Sequence, residues 1–196
     1  LGYDALGIAD VNSMAGVVRL HAEARKLKLR PVIGCRIETV EGLAFLAYPV
    51  DRAAYGRLCR LISAGRMNTL DGGWQDKGRC EISLAMLADH PEGVQLTLLP
   101  PAAPATPFSI AVESNVVPLA GTAPRNASRP AVATRVGPLE ALLPHLCASL
   151  STLRHIAAVW LHDGADIARI DALDALARAH GLSLLATNDV LYHAAE

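Results

Sequence analysis

Leu182-Ser183-Leu184-Leu185-Ala186-Thr187-Asn188-Asp189-Val190-Leu191-Tyr192-His193 is an apolar run that ends in a polar tip. It follows a helix-like segment whose end is marked by Gly181, a residue suited to the left-handed position that closes helices. A short apolar run after a helix reads as a buried strand of an α/β protein, and its polar tip as a site position. The same design recurs in Asp4-Ala5-Leu6-Gly7-Ile8-Ala9-Asp10, where small and apolar residues lead to a carboxylate and a helix start follows. Two strands that each end in aspartate point to one shared cleft.

Asn12 and Ser13 are placed to cap the first helix, because their side-chain oxygens can accept from the free amides of a first turn. That helix is predicted over 14–27, with Val17, Leu20, Ala24 and Leu27 as its buried face. Strands follow over 31–37 and 43–48, joined through Glu41-Gly42 as a hairpin or lying as neighbours. Asp51 caps a second helix, with Tyr55, Leu58, Cys59 and Ile62 inward and Arg52, Arg57, Arg60 and Arg66 outward. A Gly-rich loop spans 71–78, then a short helix 83–89 and a strand 94–99. Pro, Ala, Ser and Thr dominate 100–138, an irregular or inserted segment with short strands at 109–112 and 116–119. Order returns with a helix over 139–153, a strand over 156–161, a helix over 167–180 and a strand over 182–186.

Alternating strands and helices imply a parallel sheet, either closed into a barrel or open and doubly wound. In both, ligands bind at the carboxyl ends of strands. The tips offered are Asp10, Cys35 with Arg36, His162 with Asp163, and Asn188 with Asp189. His162 and Asp163 read as residues of a strand-to-helix loop or as an acid/base pair.

With 196 residues, 52% of them hydrophobic and 19% charged, the chain suits one domain with a sizeable core, 1–196. Eighteen basic and nineteen acidic residues give a net charge of -1, so no global field draws it to nucleic acid or an anionic membrane. Cys35, Cys59, Cys80 and Cys147 lie far apart, which indicates neither a zinc site nor a disulfide framework. A cytoplasmic location is expected, without leader or membrane span. Starting at Leu1-Gly2-Tyr3 without methionine and stopping at Glu196 just past a strand, the chain reads as a fragment of something longer.

Four stretches in order carry a resemblance: Gly7-Ile8-Ala9-Asp10 running into Met14-Ala15-Gly16-Val17-Val18; Val32-Ile33-Gly34-Cys35; Asp51-Arg52-Ala53-Ala54-Tyr55-Gly56-Arg57-Leu58-Cys59-Arg60-Leu61; and Ala186-Thr187-Asn188-Asp189-Val190-Leu191-Tyr192. Together they resemble the PHP (polymerase and histidinol phosphatase) domain at the amino terminus of bacterial C-family DNA polymerases, of the error-prone branch. The resemblance covers 1–99 and 139–196 and leaves out the Pro-rich middle. It implies an α/β fold, a distorted (β/α)7 TIM-like barrel, incomplete here because the first strand is missing. Active members bind up to three metal ions at the carboxyl ends of the strands, and in some polymerases the site proofreads as a 3′–5′ exonuclease.

Measured against that pattern, most ligands are replaced. The family's Thr-Asp-His stands as Ala9-Asp10-Val11, its Gly-x-Glu as Gly34-Cys35-Arg36, and its last motif keeps Asn188-Asp189 but carries Leu191 where a histidine is expected. What the resemblance implies is a vestigial metal-site cleft of Asp10, Arg36 and Asp189, in which Arg36 pairs with one or both carboxylates. His162 and His193 are weaker candidates. The implied function is a structural and interaction module of an error-prone polymerase acting in damage-tolerant synthesis. It would have no catalytic residue and no cofactor of its own, Mg serving the full-length enzyme's palm. Implied partners are the remaining polymerase modules, DNA through them, and other translesion-synthesis proteins. The alternatives are a phosphoesterase or exonuclease using Mn or Zn on Asp10, His162, Asp189 and His193, and a remnant without function. Trp74, near Arg66, Lys77 and Arg79, reads as an anchor of its loop on the barrel or on a neighbouring module, or as a stacking platform for a single-stranded base.

Overall fold

Along β2 (Arg30–Glu38) the side chains alternate, burying Cys35 and Ile37 on one face and turning Val32, Arg36 and Glu38 into a cleft on the other. The computed structural model describes residues 2–90, 92–100, 108–111, 133–136, 139–162 and 164–187. In chain order its elements are β1 (Ala5–Val11), α1 (Val17–Leu27), β2, β3 (Ala44–Pro49), α2 (Arg52–Met67), α3 (Leu84–Ala88), β4 (Val94–Leu99), β5 (Phe108–Ala111), β6 (Ala133–Val136), α4 (Leu139–Ser149), β7 (Leu153–Ala158), α5 (Asp166–Ala179) and β8 (Ser183–Ala186).

Six strands form one curled sheet, a half-barrel, in the order β1-β2-β3-β4-β7-β8, and β5 pairs with β6 separately. The sheet is parallel except at β3, where of the two arrangements left open for 31–37 and 43–48 the hairpin is the one formed. β3 runs antiparallel to both β2 and β4, while β1/β2, β4/β7 and β7/β8 are parallel. The cause is local: the turn after β2 is too short for a crossover, with the Thr39 amide bonded to the Leu43 carbonyl at 2.8 Å and Gly42 at φ 85. Because β3 reverses, β1, β2, β4, β7 and β8 all point the same way, and their carboxyl ends share one end of the sheet.

The core lies on the convex face. Ile37, Phe45, Leu96, Leu98 and Ile156 of the sheet pack under Leu58 and Leu61 of α2 and Leu142, Leu143 and Leu146 of α4, all essentially inaccessible. Asp51 caps α2 as expected, its carboxylate accepting from the Ala54 amide at 2.7 Å. Ser83 does the same for α3, accepting from Met86 at 3.2 Å.

Three local expectations change. α1 begins at Val17 rather than 14, with Gly16 at its cap position and no side-chain cap, because Asn12 is drawn into the sheet instead. Leu27 is exposed, since Lys28 ends that helix in the left-handed conformation at φ 56. β7 starts at Leu153, three residues before the expected strand. Leu143, Leu146, Leu150 and Leu153 continue a helical spacing, but the Thr152 carbonyl accepts from the Leu96 amide at 3.0 Å and draws the chain into the ladder there. Trp160 and Leu161 therefore lie beyond the strand. The short strand expected at 109–112 falls on β5, whereas 116–119 lies outside the described residues. Among the described residues no helix is long and apolar enough to cross a membrane.

Removing the α2 cap by Asp51→Ala should cost about 1 kcal/mol of stability. Phe45→Ala in the core should cost about 3–5 kcal/mol. Urea unfolding followed by circular dichroism measures both, and equal effects of the two would contradict this packing.

Candidate functional site

The concave face of the half-barrel encloses a cleft of about 1070 Å³. Its floor is largely apolar, formed by Val32, Leu46, Leu99, Ala157 and Leu185, with Tyr48 lying across Gly7 and Gly34. A Cβ on Gly34 would run into the Tyr48 ring, so glycine there makes room for the phenol, whose pKa burial pushes up. One row of paired residues crosses the sheet: Val11 beside Arg36, Arg36 beside Leu46, Leu46 beside Thr97, Thr97 beside His155, and His155 beside Ser183. Arg36, Leu46, Thr97 and His155 of that row line the cleft. His155 Nδ1 lies 2.8 Å from the Ser183 hydroxyl.

Asp10 and Arg36 were expected to share the cleft, and the register separates them. Asp10 is opposite Cys35, and Val11 is opposite Arg36. Paired residues of a parallel ladder share a face, so Asp10 lies on the helix-covered side and Arg36 on the cleft side. The Asp10 carboxylate accepts from the Gly16 amide at 2.6 Å and so fixes the approach to α1. No side chain fits at Gly16, where a Cβ would come within 2.6 Å of Asp10 Oδ2 and Ile8 Cδ1. Arg36 pairs through Nε with Glu38 at 3.0 Å, not with Asp10. The family-like aspartate is thus a loop-fixing residue in this geometry.

The hydrogen bonds of Asn12 and Arg66 were not foreseen from the sequence, which offered Asn12 only as a helix cap. Asn12 is buried and left-handed at φ 43. It extends the β1/β2 ladder: its amide donates to the Arg36 carbonyl at 2.8 Å, its Nδ2 to the Glu38 carbonyl at 3.1 Å, and its Oδ1 accepts from the Glu38 amide at 2.9 Å. Arg66 is exposed, as expected of an outward residue, and also donates from Nε and Nη2 to the Asn12 carbonyl at 3.0 and 2.8 Å. The available signal was the residue type, since asparagine is among the few side chains that tolerate the left-handed region.

His162 lies just past β7, exposed and left-handed at φ 58, with its ring 6.3 Å from Trp160 in an edge-on arrangement. The loop is tied by Asp166, a buried residue the sequence did not single out, which accepts from the Leu161 amide at 2.7 Å and pairs with Arg169. Burial opposes ionisation of Asp166, yet the Leu161 amide and the Arg169 guanidinium hold its carboxyl below the usual range. Asp163, Asn188, Asp189 and His193 lie outside the described residues. Trp74 is 84% exposed, so it does not anchor its loop on the barrel.

Among the described residues no three His, Cys, Asp or Glu side chains converge as metal ligands. At the end of β2 a guanidinium occupies the cleft, and Val11 beside it has no donor atom. A permanent cation opposes divalent ions, so the described residues do not fit a multi-metal centre.

Cys35, buried on the convex face, donates to the Asp10 carbonyl at 3.2 Å. Burial, above all, pushes its thiol from 9.0 up to about 11. The fold therefore favours the neutral thiol, and the stability this gives is fully present below pH 9.0 and lost as pH rises toward 11. Denaturation from pH 8 to 11 should show a decline of about 2–3 kcal/mol from this group, and Cys35→Ala should flatten it by that share.

Three comparisons bear on this fold and cleft. Residues 1–118 match the PHP domain family. The error-prone DNA polymerase of Caulobacter vibrioides is 32% identical over 100% of this chain, which spans 15% of that protein. That of Rhodopseudomonas palustris strain BisA53 is 37% identical over 98% of this chain and 18% of the relative. The chain thus spans less than a fifth of these relatives. A solved structure from Bifidobacterium adolescentis, classed as a metal-dependent phosphoesterase, superposes with a TM-score of 0.54 over 94% of this chain and 76% of the other, at 12% identity, a likeness of fold. The chain belongs to the PHP domain family.

Proposed function

We propose that this chain is the amino-terminal PHP module of an error-prone DNA polymerase used in damage-tolerant DNA synthesis, with a degenerate metal site and a structural role. It is a single domain that braces the polymerase modules of the same protein and meets DNA and other translesion-synthesis proteins through them, in the cytoplasm. Its likeness in sequence to error-prone polymerases over nearly the whole chain supports the assignment to such an enzyme.

The observation that carries the structural role is the pairing of Val11 with Arg36 in the cleft wall. Phosphodiester hydrolysis by two or three cations needs several carboxylates and imidazoles around them, because clustered positive charge must be neutralised and held in fixed geometry. Here the wall supplies an isopropyl group and a guanidinium paired with Glu38. In this reading Asp189, which lies outside the described residues, is the remaining mark of the family's metal site. A polymerase meant to extend past mismatches would gain nothing from a working proofreading site beside it.

The test is hydrolysis by the purified protein of bis(p-nitrophenyl) phosphate and of a 3′-mismatched primer, with Mn2+ or Zn2+ supplied. The expected result is no metal-dependent rate above the blank and no change on Asp189→Ala. Metal-dependent turnover abolished by Asp189→Ala would establish the phosphoesterase alternative instead. A chain showing no cooperative unfolding transition would point to a remnant.

A further inference from the structure

We propose that the basic stretch from Arg19 to Arg30, on α1 and the start of β2, is a direct contact for the phosphate backbone of DNA. This goes beyond the function proposed above, in which DNA is met through other modules, and rests on that reading only for the choice of DNA as the polyanion. The stretch is remote from the carboxyl ends of the strands, because Arg30 pairs with Ala5 at the amino end of β1 and β2.

Five cations, Arg19, Arg25, Lys26, Lys28 and Arg30, stand exposed here against the one carboxylate within 19–30, Glu23. Asp4 adds a second carboxylate nearby, its carbonyl accepting from the Arg30 amide at 3.0 Å, and still leaves positive charge in excess. With the whole chain at -1, the field is local to this stretch. Among the described residues, ion pairs take up Lys26, 2.7 Å from Glu23, and Arg36, Arg57, Arg169 and Arg178, but none of Arg19, Arg25, Lys28 and Arg30.

The needs of the helix account for only part of this charge. Arg25 and Lys26 fall in the last turn of α1, where cations answer the helix dipole. Lys28 and Arg30 stand beyond it. Lys28 occupies, at φ 56, the left-handed C-cap position that glycine fills without steric cost. The chain thus keeps an exposed, unpaired lysine where the backbone favours glycine, which points to a use for the ammonium outside the fold. The backbone beneath is fixed: the Lys28 amide donates to the Arg25 carbonyl at 3.3 Å and the Leu29 amide to the Ala24 carbonyl at 2.9 Å. Only side-chain freedom is therefore lost when an anion binds.

Shape and composition select nucleic acid over a lipid surface. From 19 to 26 the helix advances roughly 10 Å, a length over which duplex DNA carries about six phosphate charges. Lys28 and Arg30 continue the charge past the helix end. The large apolar residues exposed on α1, Val18 at 77% and Leu27 at 68%, are nine residues apart and so on opposite sides of the helix, which leaves no apolar stripe to enter a membrane. Contacts of this kind position a duplex or a single strand without reading its sequence.

The test is fluorescence anisotropy of a labelled duplex and a labelled single strand of about 20 nucleotides, titrated with the purified protein at about 50 and about 200 mM NaCl. If about four phosphates are neutralised, the duplex should bind ~100-fold more weakly at the higher salt, and the single strand should respond less steeply. Arg25→Glu combined with Lys28→Glu should weaken binding at the lower salt roughly tenfold or more and flatten the salt dependence, whereas Lys77→Glu in the Trp74 loop should leave both unchanged. Lys28→Gly should raise the thermal midpoint and still weaken binding, which separates loss of charge from damage to the fold. Thermal unfolding checks the double variant, and Arg25→Gln with Lys28→Gln replaces it if that protein is not folded. No binding by folded protein at the lower salt, or binding indifferent to these substitutions, overturns the contact and leaves the polymerase assignment intact. Displacement of the oligonucleotide by poly-glutamate at equal charge concentration also overturns it, because the stretch would then serve acidic protein segments.

Discussion

The parallel pairing of β1 with β2 fixes both the core and the cleft, because each residue it places on one face commits its neighbours to the other. Pairing Asp10 with Cys35 sends both toward the helices, and pairing Val11 with Arg36 sends both toward the cleft. A slip of one residue would turn Arg36 into the buried core and expose Ile37, an exchange that costs far more than any surface contact returns. The register is locked at its end by Asn12, whose backbone and side chain continue the ladder onto Arg36 and Glu38 while its own carbonyl is held by Arg66. Three elements, β1, β2 and α2, thus meet on one asparagine, and the end of the cleft wall inherits its rigidity.

This geometry separates two fates of a family motif. The aspartate kept in Ala9-Asp10-Val11 serves the fold, as an acceptor for the Gly16 amide at the approach to α1. The position next to it faces the cleft, and there the chain carries valine. Beside that position the Arg36 guanidinium, paired with Glu38, places a permanent cation on the cleft side of β2.

Much of the fold was legible along the chain because the signals are local. Asp51 before an apolar-periodic stretch announced α2, and Gly181 marked the end of α5 with the expected positive φ of 69. Where a local signal ran on past its element, expectation failed: Leu150 and Leu153 kept the helical spacing, and only pairing with Leu96 moved the start of β7. Arg66 is exposed as read, but nothing in the α2 sequence shows the Asn12 carbonyl that it also reaches across the loop.

By itself the sequence determined most of the order of strands and helices, the Asp51 cap of α2, the Gly181 stop of α5, and the residue types at the family positions, since each depends on neighbours within a few residues. It also placed valine and arginine where coordinating groups were expected. Tertiary structure alone decided which face each side chain meets: that Asp10 is turned to the helix side and that Arg36 finds Glu38 in the cleft. Those outcomes depend on strand register and on the reversal at β3, and both are settled by contacts between segments far apart in the chain.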